Sequence, residues 1–154
     1  VSNVRNALLD ELARHFRARL GEDLVGVVLY GSRARGDARP DSDLDLMIIA
    51  DRLPEDGFDR AFTVRPPRGN FTDPEVSVRA LTPAEYERDI APIDLDVAID
   101  AVVLYDRDGY VTDRLALIRR RIDEAGLYRD AGMWRWRRWP ERADWSVTWE
   151  GVRL

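Results

Sequence analysis

The sequence predicts an α/β (α+β) fold in which helices flank a small β-sheet. Three observations carry that expectation. Apolar residues recur four apart along residues 3–20, the spacing of one helix face. Two runs, LVGVVLY at 24–30 and LDLMIIA at 44–50, have the length and β-branched content of buried strands. T-P-A-E at 82–85 follows an alternating segment at 75–81, so a strand gives way to a capped helix.

The elements follow in chain order. Val4, Leu8, Leu12, Phe16 and Leu20, with Ala7 and Leu9 beside them, make an amphipathic helix that Gly21 ends. His15 borders this stripe and is given no role. After the strand at 24–30, residues 31–42 are rich in Gly, Pro and Asp and read as a turn, with a short helix expected at 32–36. The second strand is 44–50. Residues 51–74 carry Pro54, Gly57, Pro66, Pro67, Gly69 and Pro74 and read as loop, with a short helix near 56–62. Beyond the third strand, Thr82 is the N-cap, Pro83 the first helical position and Glu85 the N3 partner, for a helix to about Ala91. A short helix is expected at 93–100, a strand at 102–105, and a last helix at 112–125 stopped by Gly126. The tail, 127–154, holds all five tryptophans, Trp134, Trp136, Trp139, Trp145 and Trp149, mixed with arginines. Short strands are expected around Trp134/Trp136 and at 145–149.

Composition narrows the chemistry. A chain of 154 residues, 45% hydrophobic and 34% charged, suits one soluble domain. No apolar run approaches the roughly 20 residues that span a bilayer, and the N-terminal VSNVRNALLDELARHF lacks a signal peptide's basic start and apolar core. The expectation is a cytoplasmic protein with no membrane partner. Without cysteine there is no disulfide, thiolate cluster or thiol nucleophile. Without lysine there is no Walker lysine and no Schiff base. A single histidine excludes a multi-histidine zinc site. Carboxylates, with a metal, are left to do any catalysis. The net charge of −5 argues against a surface built for nucleic acid.

One stretch concentrates that chemistry: LYGSRARGDARPDSDLDLMI, residues 29–48. Residues two apart on a strand share a face, so Asp43 and Asp45 project together while Leu44 and Leu46 turn to the core. Two such carboxylates suit Mg²⁺, a hard cation that keeps waters and substrate phosphates as its other ligands. Gly31 lets a phosphate approach the backbone. Ser32 offers a hydroxyl and an N–H, and Arg33 and Arg35 offer charge-assisted hydrogen bonds to phosphate oxygens.

This stretch resembles the signature of the DNA polymerase β-like nucleotidyltransferases, in particular their minimal, stand-alone branch: Gly-Ser, ten residues, then Asp-x-Asp, here Gly31, Ser32, Asp43 and Asp45. The segment PIDLDVAIDAVVLYDRDG and the aromatic tail are also similar to small members. The layout matches over 1–126, while the specific motif is confined to 29–48. The resemblance implies a small mixed sheet, a nucleotidyltransferase domain at 1–126, and a Trp/Arg-rich extension at 127–154 packed on it. It implies transfer of a nucleoside monophosphate, AMP above others, from an NTP to a protein or small-molecule acceptor, with pyrophosphate leaving. Gly31 and Ser32 would hold the phosphates, and Asp43 and Asp45 would carry Mg²⁺ and the catalysis. Small members are often encoded beside a helical partner protein, for which they act as antitoxins, so such a partner is expected.

The family's third carboxylate, on the next strand, is replaced: Ser77 stands where an aspartate is usual. Glu75, one pleat (about 6.8 Å) away on the same face, is the expected third metal ligand, and Asp73 is a weaker one. The rival expectation is a nucleotide- or partner-binding module that has kept the fold and lost turnover. Asp94, Asp96 and Asp100 fall on a later helix, in capping or solvated positions. The tail is expected to fold back with its tryptophans over the core and its arginines reaching water. Base stacking on those tryptophans, or pairing of two copies through them, are the alternatives.

Overall fold

The computed structural model describes residues 2–67, 75–138, 146–147 and 152–153. Asp73, Trp139, Trp145 and Trp149 lie outside the described residues. Helix α1, Ser2–Leu20, lays Leu9, Leu12 and Phe16 on one face of a four-stranded sheet. The strands are β1 (Leu24–Tyr30), β2 (Leu44–Ala50), β3 (Val76–Leu81) and β4 (Val102–Asp106), in the order β3-β2-β1-β4. β1 runs antiparallel to β2 and β4, whereas β2 and β3 are parallel. The sheet is therefore mixed, as expected. The parallel pair is joined by a crossover that includes the short α3, Gly57–Thr63.

The near-continuous apolar runs of β1 and β2 reflect a sheet covered on both faces. Leu24, Val27, Leu29, Leu44, Leu46 and Ile48 pack in the cluster beneath α1. Val25, Val28, Met47 and Ile49 pack on the other side, with α5 (Pro92–Asp100) and α6 (Tyr110–Ala125). Leu24 and Val27 share a face although three residues apart, because the register with β2 shifts between Leu24 and Gly26. One extra residue in a strand changes its facing in this way.

Helix α4, Pro83–Arg88, has the expected capping box: Glu85 N–H donates to Thr82 Oγ1 (3.2 Å), and Thr82 N–H donates to Glu85 Oε2 (2.8 Å). It ends at Arg88, with Asp89 already extended (φ −143°, ψ 159°). It cannot run on through Ala91, because Pro92 opens α5 and a residue preceding proline avoids helical backbone. Ala91 is accordingly extended, with ψ 157°. Helix α6 starts two residues earlier than expected. Its cap comes from the end of β4, where the Asp106 carboxylate accepts from Val111 N (2.8 Å), Thr112 N (2.9 Å) and Thr112 Oγ1 (2.6 Å). Asp106→Ala is expected to cost about 1–2 kcal/mol, read as a lower urea midpoint with an unchanged slope. An unaltered midpoint would mean that water replaces the carboxylate without loss.

Gly126, at φ 64°, closes α6. A hairpin follows, β5 (Leu127–Asp130) with β6 (Met133–Trp136), and two-residue strands β7 (Ser146–Val147) and β8 (Val152–Arg153) pair antiparallel. Leu127 and Trp136 are buried in the cluster on the α6 side. Arg129 of the hairpin pairs with Asp96 (3.1 Å) and Asp100 of α5, and Trp134 Nε1 donates to Asp96 (3.1 Å). Asp96 and Asp100 are thus ion-paired rather than solvated. Among the described residues no helix is long and apolar enough to cross a membrane.

Candidate nucleotide and metal site

The site lies where β1 ends and β2 begins. Because Leu44 and Leu46 are buried toward α1, Asp45 must face the other side of the sheet, with Met47 and Ile49. The register places Tyr30 of β1 and Ser77 of β3 on either side of Asp45, so the three form one row across the sheet. Directly after Tyr30 the chain turns into the five-residue helix α2, Gly31–Arg35, whose N-terminus no side chain caps.

Gly31 is required there on two counts. Its backbone is left-handed, with φ +73°. A Cβ at this position would overlap Asp45 Oδ2 and lie 3.2 Å from Asp45 Cγ. The carboxylate therefore rests on the bare face of the Gly-Ser turn. Burial, then repulsion from Asp43, pushes the Asp45 carboxyl above the ordinary aspartate range, with Arg35 partly offsetting both. Among the described residues neither carboxylate takes a hydrogen bond or ion pair. Two adjacent carboxylates, mutually repelling and without a protein cation bound to them, fit a divalent ion.

The two arginines of the turn part company. The Arg33 guanidinium points back into its own loop, donating to Ser42 O (2.9 and 2.5 Å), Asp43 O (3.2 Å) and Pro40 O (3.4 Å). Instead of facing a phosphate, it fixes the segment that carries Asp43, because the loop's carbonyls have no strand partner of their own. Arg35 pairs with Asp37 (3.1 Å) and lines a cleft of about 350 Å³ with Asp37, Asp96, Arg129 and Gly132. Arg33→Ala is expected to raise amide exchange at residues 42–44 and to weaken ATP several-fold with little change in melting temperature. Unaltered exchange would show that the loop holds itself.

Glu75 is not brought to the pair. Its side chain is exposed, just before the first paired residue of β3, while its carbonyl accepts from Leu44 N (2.8 Å). Among the described residues no three Asp, Glu, His or Cys side chains gather closely enough to hold one ion. The expected trio of Asp43, Asp45 and Glu75 is therefore a pair in this structure, and Ser77 occupies Asp45's row.

Three residues that the sequence reading left out of the site border it. Tyr30 is one, its phenol pushed above its usual range by burial and then by Asp45. The others are Arg79, two residues beyond Ser77 on the same face of β3, and Asp94, which is 1% exposed and ion-paired to Arg79 at 2.5 Å. An arginine in phase with Ser77 and Leu81, opposite Met47 of β2, was the available signal.

A mixed sheet that delivers a Gly-Ser turn and an Asp-x-Asp pair to one edge defines a nucleotidyltransferase-type domain. The chain belongs to the nucleotidyltransferase domain family, whose model matches residues 9–131. It is 30% identical over 118 residues, 74% of this chain and 80% of the relative, to a Methanocaldococcus jannaschii chain named "Putative protein adenylyltransferase MJ1305". Among solved structures it is similar to a chain of a toxin–antitoxin complex with AMP-PNP (TM-score 0.54, 14% identity, covering 76% of this chain and 89% of that one). It is also similar to a chain of a mutant MntA–HpeT toxin–antitoxin complex (TM-score 0.55, 12% identity, 76% and 89%). A third similar chain comes from a complex of tri-AMPylated Shewanella oneidensis HEPN toxin with MNT antitoxin (TM-score 0.50, 13% identity, 78% and 88%). At these identities the structures establish the fold, and with the family match they bear out the resemblance drawn from residues 29–48.

Proposed function

We propose that this protein transfers AMP from ATP to a protein acceptor, using Mg²⁺ held by Asp43 and Asp45. The observation that carries the reading is the seat of the Asp45 carboxylate against Gly31, which joins the metal ligand to the phosphate turn. Bound there, Mg²⁺ would supply charge neutralisation on the phosphate oxygens. The chain's own groups do the rest. The uncapped N–H groups and the Ser32 hydroxyl of α2 take phosphate oxygens, and Arg35 adds charge beside the pair. An acceptor hydroxyl forms the new bond to the α-phosphorus, the bond to the bridging oxygen breaks, and pyrophosphate leaves with the electron pair while the hydroxyl proton passes to solvent. The name of the Methanocaldococcus relative and the toxin–antitoxin complexes among the solved structures support a protein as acceptor, encoded as a partner chain.

A second reading rests on Ser77. With serine beside Asp45 and Glu75 exposed, the site lacks a third carboxylate, and a module that binds nucleotide or partner without turnover is the alternative. Calorimetric titration of ATP with and without Mg²⁺, followed by labelled-AMP transfer to co-purifying proteins, separates the two. Mg²⁺-dependent binding with label on a protein is the expected result. Binding without label, even in Ser77→Asp, would favour the module, and no ATP binding at all would sink the transferase and leave only a partner-binding role.

A further inference from the structure

We infer that Arg79, anchored by the buried carboxylate of Asp94, is a phosphate-binding cation of the nucleotide site, on the strand that carries serine in place of a third carboxylate. The inference rests on the nucleotide-binding reading above and adds a ligand to it.

The placement follows from register. Asp45 pairs with Ser77, and Met47 with Arg79, so Arg79 lies one pleat (about 6.6 Å) below Ser77 on the face that carries Asp45. Its guanidinium leans over β2, with Nη1 4.0 Å from Met47 Sδ and 2.5 Å from Asp94 Oδ1. Asp94 is fixed from its other side, accepting from Ala91 N at 2.9 Å as the N3 residue of α5. The pair is lopsided: the Asp94 side chain is 2% exposed and that of Arg79 29%. Among the described residues only Nη1 of the guanidinium is bonded to a carboxylate, which leaves Nε and Nη2 as donors.

A buried ion pair contributes little to stability beyond what apolar side chains of the same volume would give. One arginine nitrogen held by a buried carboxylate, with the rest of the planar fork presented at a surface, is the arrangement that binds phosphate oxygens in two-point fashion. A carboxylate on β3 would draw phosphate only through an intervening metal ion. Serine there, with a cation one row below, lets the strand meet the phosphate directly.

The test is calorimetric titration of ATP, with saturating Mg²⁺ and with chelator, into wild type, R79K and the double variant R79Q/D94N. The double variant removes the cation without stranding a buried carboxylate. The expected result is ATP affinity at least tenfold weaker in R79Q/D94N at an unchanged melting temperature, with loss in chelator as well as in Mg²⁺. R79K, which keeps the charge opposite Asp94 but not the fork, is expected to bind several-fold more weakly than wild type. Wild-type affinity in a folded R79Q/D94N overturns the inference and leaves Arg79 a structural partner of Asp94, and wild-type affinity in R79K overturns the two-point contact by the guanidinium fork. Absence of ATP binding by the wild type would instead overturn the nucleotide-binding reading, and this inference with it.

Discussion

Replacing Asp45 with asparagine is expected to abolish Mg²⁺-dependent ATP binding while leaving the fold at least as stable as wild type. The two halves of that outcome share a cause. Asp45 is partly buried, lies near Asp43 and, among the described residues, has no cation bonded to it, so its carboxyl holds a proton more tightly when the chain is folded than when it is not. Between the ordinary aspartate value and this raised value the folded state binds more protons than the unfolded one, and stability falls as pH rises through that window. Above the window the charged carboxylate is a liability, which asparagine removes without changing the size of the side chain. The same charge is what a divalent ion needs, so metal affinity rises with pH through the range in which stability declines. Calorimetry with and without Mg²⁺ reads the first half, and urea midpoints at neutral and mildly acidic pH read the second. A variant that fails to fold would make Asp45 a structural residue and remove the ground for a metal there.

How far the sequence carried depends on how local each signal is. Gly31, Ser32, Asp43 and Asp45 were legible because identity and spacing alone define them, and the alternation of β2 fixes which way the carboxylates face. Ser77, which the resemblance sets at the third-carboxylate position, lies in Asp45's row through the β2–β3 register. Contacts between elements were not legible. Nothing in G-S-R-A-R distinguishes Arg33, bonded to the carbonyls of Pro40, Ser42 and Asp43, from Arg35, which pairs with Asp37 beside the open cleft. The Arg79–Asp94 pair joins a strand to a helix fifteen residues on, whereas the sequence by itself offers Asp94 a capping or solvated position. The Asp106 cap of α6 was missed because the capping carboxylate lies four residues before the helix instead of next to it. The hairpin at 127–136 is stabilised by burial of Leu127 and Trp136 and by the Arg129 ion pairs, none of which a four-residue strand announces.

The Gly31→Ala variant should fail in a way that separates backbone strain from site geometry. Alanine at φ +73° costs about 1–2 kcal/mol through contact of its Cβ with the backbone. Gly36 ends α2 at φ +89° with nothing within 4 Å of the place where a Cβ would stand, so Gly36→Ala carries the strain alone. At Gly31 the Cβ must also displace Asp45 Oδ2, by swinging the carboxylate away or by shifting α2 off the sheet, and either movement parts the metal ligand from the phosphate turn. Both variants should therefore lower the urea midpoint, while Gly31→Ala alone loses Mg²⁺-dependent ATP binding. Truncating Asp45 to alanine removes the obstacle, so adding Gly31→Ala in that background should cost only what Gly36→Ala costs. Such non-additivity is the mark of two residues in contact. If Gly31→Ala binds ATP as the wild type does, the carboxylate does not need its seat on Gly31, and the observation on which the proposed function rests would lose its force.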